Sequence, residues 1–80
     1  MNPFRAKNPK AYATGVRFGP KMLHVQLTDG RIISAPLEWF PKLRNATQEQ
    51  RSHWGLIGKG IGIHWDDLDE DLSVAGLLGA

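Results

Sequence analysis

Three histidines and a run of acids are the groups in this chain with the types for acid–base or metal chemistry. His24, His53 and His64 stand against Asp66, Asp67, Asp69, Glu70 and Asp71 of WDDLDED. Metal ligation needs three or four such groups converging in space. Neither His-x-x-x-His nor His-Glu-x-x-His occurs. The acids do not form a calcium loop either, because the central Gly and the terminal Glu of such a loop are missing. No metal site is therefore expected. His64 with Asp66 at a strand end is the one constellation with the shape of a catalytic edge. The commoner reading of the same pair is a strand-end histidine hydrogen-bonded to a turn carboxylate. Ser34, Ser52 and Ser73 fall on a strand, a helix and a cap, not in a nucleophile elbow.

A second constellation, Gly58-Lys59-Gly60-Ile61-Gly62, invites comparison with a phosphate loop. It fails the spacing of both phosphate-binding signatures. It reads as a glycine-rich bend entering a strand. No cofactor and no catalytic residue is expected from these motifs.

Size and composition narrow the classes further. Eighty residues make one small domain, and a full dinucleotide fold does not fit. The chain has no cysteine, which removes thiol catalysis, cysteine-ligated zinc and iron–sulfur centres. No apolar run approaches a membrane span and no signal-like segment follows the N-terminal basic residues. A cytoplasmic protein is expected, with no membrane partner.

Charge is unevenly placed. Residues 1–59 hold all ten Lys and Arg against three acids, giving +7, and residues 60–80 hold five acids and no base, giving −5. The plainer expectation is that the acidic segment folds back and neutralises the basic part. The alternative is a nucleic-acid-binding or regulatory protein using basic residues within 5–59. Its phosphate contacts would come from Lys7, Lys10, Arg17, Lys21, Arg31, Lys42, Arg44, Arg51 and Lys59, provided that they share one face.

The elements that must position these groups follow from periodicity. Residues 1–10, with two Asn-Pro steps, read as a flexible basic arm that Phe4 could anchor. Residues 11–80 form a single small α+β domain. Ala11 to Phe18 is a strand in which Gly15 marks a bulge or a close approach of backbone. Met22 to Thr28 is a strand with Leu23, Val25 and Leu27 on one apolar face. Asp29-Gly30 turns the chain into a return strand, Arg31 to Ala35. A three-residue loop with Gly30 left-handed places Val25 opposite Ile33 and brings Ala35 to the face of Leu23. Leu37, Phe40 and Leu43, spaced by three, form a tight turn on the sheet. Thr47 with Gln50 is a capping box opening a helix to about Trp54. Ile61, Ile63 and Trp65 alternate as a further strand. Asp66 to Asp71 reads as a turn, and Ser73 caps a last helical turn that glycine 79 stops. The architecture expected is a small antiparallel sheet of three or four strands, residues 11–35 and 61–65. The Leu37–Leu43 cluster, the Thr47–Trp54 helix and the C-terminal turn cover one face.

The run from Val16 to Leu78 resembles a small uncharacterised bacterial family, the domain of unknown function 2442. The resemblance rests on LHVQLTDGRIISAPLEWFPKL and on ATQEQRSHWGLIGKGIGIHWDDLDEDLSVAGLL. Within the latter, Trp54, Gly58, Gly60, Ile63-His64-Trp65, the segment Asp67 to Ser73 and Leu77-Leu78 carry most of the specificity. Asp66 departs from it, standing where proline is frequent. The resemblance implies a small α+β domain with an antiparallel sheet and assigns no activity or catalytic residue. It also implies an accessory role in small two-gene bacterial units, some toxin–antitoxin-like. Longer relatives carry a helix-turn-helix domain for which this chain, ending at Ala80, leaves no room.

Taken together, these readings favour a non-catalytic protein-interaction module, accessory to another protein such as a neighbouring gene product. Trp39, Phe40, His64 and Trp65 are its candidate contact residues, because aromatic side chains dominate interface energetics. A small enzyme around His64 is the remaining alternative. A homodimer is expected too, since neither strand 22–28 nor strand 31–35 carries the usual edge guard. The other outcome is a monomer whose arm covers an edge.

Overall fold

The computed structural model describes residues 11–79. The arm expected over residues 1–10, with Phe4, Arg5, Lys7 and Lys10, lies outside them. Among the described residues, six strands form two antiparallel meanders. The first holds β1 (Ala13–Phe18), β2 (Met22–Leu27) and β3 (Ile32–Pro36). The second holds β4 (Trp54–Ile57), β5 (Gly62–Trp65) and β6 (Glu70–Ser73). Between them run a 3-10 turn (Leu37–Trp39), α1 (Pro41–Arg44) and α2 (Gln48–Ser52), and α3 (Val74–Leu77) follows β6. The α+β class with antiparallel strands and short helices is as expected, but the strands divide between two sheets of three rather than sharing one.

The first sheet forms where the sequence places it. Gly30 takes φ +93°, and the Leu27 N–H donates to the Arg31 carbonyl at 2.9 Å. This three-residue turn sets Val25 opposite Ile33 and Leu23 opposite Ala35. Leu23, Val25, Leu27 and Ala35 are accordingly buried on one face. The β1–β2 register slips between Ala13 and Gly15, the bulge that the glycine announces.

The second sheet departs from expectation in two places. The helix opened by Thr47 ends at Ser52, not at Trp54, and Trp54 starts β4. Part of the acidic segment read as a turn is β6, where Leu72 pairs with Ile63 and Asp71 with His64. Ile61 stands outside the sheet and is 59% exposed, while Ile63 and Trp65 are fully buried.

One core serves both sheets. Leu23 and Val25 from the first, Ile63, Trp65 and Leu72 from the second, and Leu37, Leu43 and Val74 from the connecting turns and α3 belong to one buried cluster. Trp65 meets Phe18 edge to face, centroids 6.2 Å apart. The Trp65 indole N–H donates to the Arg51 carbonyl at 3.0 Å, so this large buried ring leaves no polar atom unsatisfied. Pro41 opens α1, where its missing N–H costs nothing. Thr47 and Gln50 close the capping box in both directions, 3.0 Å and 2.9 Å. Ser73 caps α3 through the Gly76 N–H at 2.9 Å. Among the described residues no helix is long and apolar enough to cross a membrane.

Candidate functional site, a basic cleft beside an open strand edge

Two adjoining clefts open on the side of the molecule where β1 faces the helical connection. The larger, about 600 Å³, has Val16 to Pro20 along one wall and Gln48, Arg51, Ser52 and Trp54 along the other. The smaller, about 390 Å³, shares Pro20 and Arg51 and is edged by Lys21, Leu37, Glu38 and Arg44. Of the nine cations singled out from sequence, Lys7 and Lys10 lie outside the described residues, and four of the other seven, Arg17, Lys21, Arg44 and Arg51, border one continuous depression. Glu38 is the single acid among the lining residues of the two clefts.

Arg51 is held in place by the fold. Its Nε donates to the Leu43 carbonyl at 2.9 Å and its Nη2 to the Arg44 carbonyl at 3.0 Å, which satisfies carbonyls at the end of α1. Its guanidinium also lies over the Phe18 ring, 5.0 Å from the centroid. None of these contacts cancels its charge. Among the described residues, no carboxylate forms an ion pair with Arg17, Lys21, Arg44 or Arg51.

The acidic segment does not neutralise this basic part. Asp66 and Asp71 turn to His64, and Asp67 turns to His53 at 2.8 Å. Among the described residues, the one hydrogen bond it accepts from a lysine is that of Lys42 Nζ to the Asp69 backbone carbonyl, 3.1 Å. The other three described cations singled out, Arg31, Lys42 and Lys59, do not line the clefts. Arg31 is bound by Asp29 at 2.7 Å within the β2–β3 turn, and Lys59 sits exposed in the β4–β5 turn. A single basic face carrying all seven described cations is thus not formed.

His64 sits between two carboxylates. Its Nδ1 bonds to Asp71, and its Nε2 bonds to Asp66 at 2.6 Å. Only the imidazolium can donate through both nitrogens, and the hydrogen bond to Asp71, followed by its charge and that of Asp66, raises the pKa above the ordinary histidine value. The hydrogen bond to Asp67 raises that of His53 in the same way. Neither ring nitrogen of His64 is left to take a proton from a substrate. Among the described residues, no group of three or more His, Asp or Glu is arranged to hold a metal ion.

The aromatic candidates separate. Trp39 is 69% exposed at the end of the 3-10 turn, while Leu37 and Leu43 on either side of it are buried. Phe40 is half-buried and packs against the core. Trp65 has no exposed surface, so a contact role for it is corrected by its place in the core. Gln48, Ser52 and Trp54 were not singled out from sequence as site residues. Their signal was indirect, in the capping box that fixes the helix carrying the first two.

The glycine-rich run is a structural bend. Gly58 and Gly60 have φ +59° and +107°, and the Ile57 carbonyl accepts from the N–H groups of Gly60 and Ile61.

The model of the protein family of unknown function DUF2442 matches residues 13–80. The chain belongs to the DUF2442 family. Two solved structures share the DUF2442 chain's fold. A protein of unknown function from Rhodospirillum rubrum is 29% identical, with a TM-score of 0.72, 88% of this chain covered and 87% of that one. An uncharacterized protein from Chromobacterium violaceum is 20% identical, with a TM-score of 0.72, 95% of this chain covered and 70% of that one. No curated protein matches the chain.

Proposed function

We propose that this chain is a non-catalytic protein-binding module of the cytoplasm, accessory to the product of a neighbouring gene in a small toxin–antitoxin-like unit. The observation that carries the reading is Trp39. A large aromatic side chain left 69% exposed, on a turn clamped to the core by Leu37 and Leu43, is a pre-positioned anchor with little ordering entropy left to lose. Against an enzyme around His64 stands the engagement of both its ring nitrogens by carboxylates.

Co-expression with the neighbouring gene product tests this. A complex should co-elute, and Trp39→Ala should weaken it by about 30-fold, the effect of losing a hot-spot residue. The variant should keep its urea midpoint, because Trp39 contributes little to the core. Absence of a complex, or one indifferent to Trp39, would count against the reading.

A second reading, nucleic-acid binding, draws support from the four cations around the clefts. Its signature is an affinity for a DNA duplex that falls steeply between two salt concentrations.

A further inference from the structure

The larger cleft contains a stretch of strand edge that no other strand covers among the described residues. β1 is an outer strand of its sheet. The Gly19 N–H donates to the Met22 carbonyl at 2.8 Å, so Gly19 and Met22 are a hydrogen-bonded pair. Such pairs recur at every second residue of an antiparallel ladder. Arg17 with His24 and Gly15 with Gln26 are therefore bonded pairs too. The N–H and C=O groups of Val16 and Phe18 point the other way, into the cleft, and make no backbone hydrogen bond with another described residue. Further up β1 the edge is closed, because the Ala13 N–H donates to the Gly60 carbonyl.

We propose that this cleft takes an extended acidic segment of a partner protein as an added strand on β1. The proposal rests on the protein-binding reading above and supplies the chemistry of the partner. Two donors and two acceptors, on residues roughly 6.8 Å apart along the strand, match the backbone of another strand. A phosphodiester chain offers acceptors only and leaves the Val16 and Phe18 carbonyls without donors.

The two faces of β1 dictate the side chains of the guest. Val16 and Phe18 pair with Val25 and Leu23 and share the apolar face, whereas Arg17 pairs with His24 on the opposite, exposed face. A guest strand alternates sides as β1 does. Its residues on the first face meet Val16, Phe18 and Trp54, and those on the second meet Arg17. Alternating acidic and apolar residues fit this arrangement, with Arg51, Lys21 and Arg44 further attracting negative charge to the same depression.

The test uses the full chain and a blocked nonapeptide of alternating Glu and Val. Binding should slow hydrogen exchange at the Val16 and Phe18 amides, and Arg17→Glu should weaken it by about tenfold or more. Methylating the peptide's backbone nitrogens at every second residue should abolish binding in one register and spare it in the other. The peptide with Lys in place of Glu should not bind. Tight binding of oligothymidylate with no effect of methylation in either register would overturn the proposal in favour of a phosphate site. Failure of the Glu-Val peptide to bind would overturn it as well. Neither failure touches the Trp39 experiment, which reads a different surface with a different ligand.

Discussion

The backbone N–H of Ala13 donates to the carbonyl of Gly60 over 2.7 Å, and this bond joins the first strand of one sheet to the turn that opens the other. The contact is so close that a Cβ on Gly60 would stand 2.4 Å from the Ala13 oxygen and 3.0 Å from its nitrogen. Only glycine lets the two backbones meet there, and at φ +107° only glycine is at ease. The Val74 N–H donates to the Ile61 carbonyl beside it at 3.0 Å, so both the first strand and the last helix are tied to the same bend.

Gly60→Ala should destabilise the protein by roughly 3 kcal/mol, combining backbone strain with displacement of Ala13. Gly30→Ala should cost roughly 1 kcal/mol, since Gly30 has φ +93° but nothing within 4 Å of an added Cβ. Urea midpoints of the two variants, measured side by side, separate strain from collision. Equal losses would contradict the close approach at Gly60.

The two clamped histidines make stability depend on pH in a definite direction. Folding raises the pKa of both above the ordinary histidine value of about 6.5, through the hydrogen bonds with Asp71 and Asp67. Their contribution is therefore fully present below that value and is lost as pH rises through the folded-state pKa. The urea midpoint should fall as pH is raised from about 6 to about 8, the range bracketing an ordinary and a raised histidine. In His64→Gln the fall should shrink to the part due to His53. A midpoint that rises over this interval would show that the imidazolium forms are not the ones preferred by the fold.

Thr47→Ala should cost about 1 kcal/mol, the usual effect of losing an N-cap side chain. Because Thr47 opens the helix that carries Gln48, Arg51 and Ser52, the loss should be felt in the cleft as well as in the midpoint. Hydrogen exchange at the amides of Arg51 and Ser52 should quicken more than at Val25, in the centre of β2. Uniform acceleration would place the cap's effect on global unfolding alone.

Self-association should use β3. It is the other outer strand of the first sheet, and Ile32 on it is 60% exposed. Neither a bulge nor an internal charge guards it, although Pro36 closes its end. Sedimentation equilibrium at micromolar concentration should give roughly twice the chain mass, the two-fold arrangement that a self-complementary edge favours. Ile32→Lys should return the chain to its monomer mass. A monomer at every concentration would leave β3 as a solvated edge.

Elements with a local signal were legible in the sequence. The alternation of Leu23, Val25 and Leu27, the left-handed Gly30 and the Thr47–Gln50 box each depend on residues within one turn or hairpin, and each stands where its pattern put it. β4 and β6 lack such signals. In β4 both Gly55 and Leu56 are exposed, so no alternation marks it. β6 reads Glu-Asp-Leu-Ser, with three residues that disfavour strands, and only Leu72 is buried. Pairing with β5 made strands of both, which no local propensity could announce. The cleft escaped notice for the same reason. Its walls, residues 16–20 and 48–54, are brought together only by the core between them, and a list of cations holds no information on which share a depression.

Each of the two meanders is an uninterrupted stretch of chain, strands one to three and then strands four to six, with every strand paired to its sequence neighbour. Search for the correct pairing thus runs over short loops, and the entropy lost in closing them is small. Among the described residues, the one wide closure is the docking of one meander on the other. Such a topology folds quickly for a protein rich in strands, roughly in milliseconds, with a barrier set by that docking. Stopped-flow refolding of Gly60→Ala would reveal the timing. A slower folding arm means that the junction at Ala13 is made on the way up the barrier, and a faster unfolding arm alone means that it closes last.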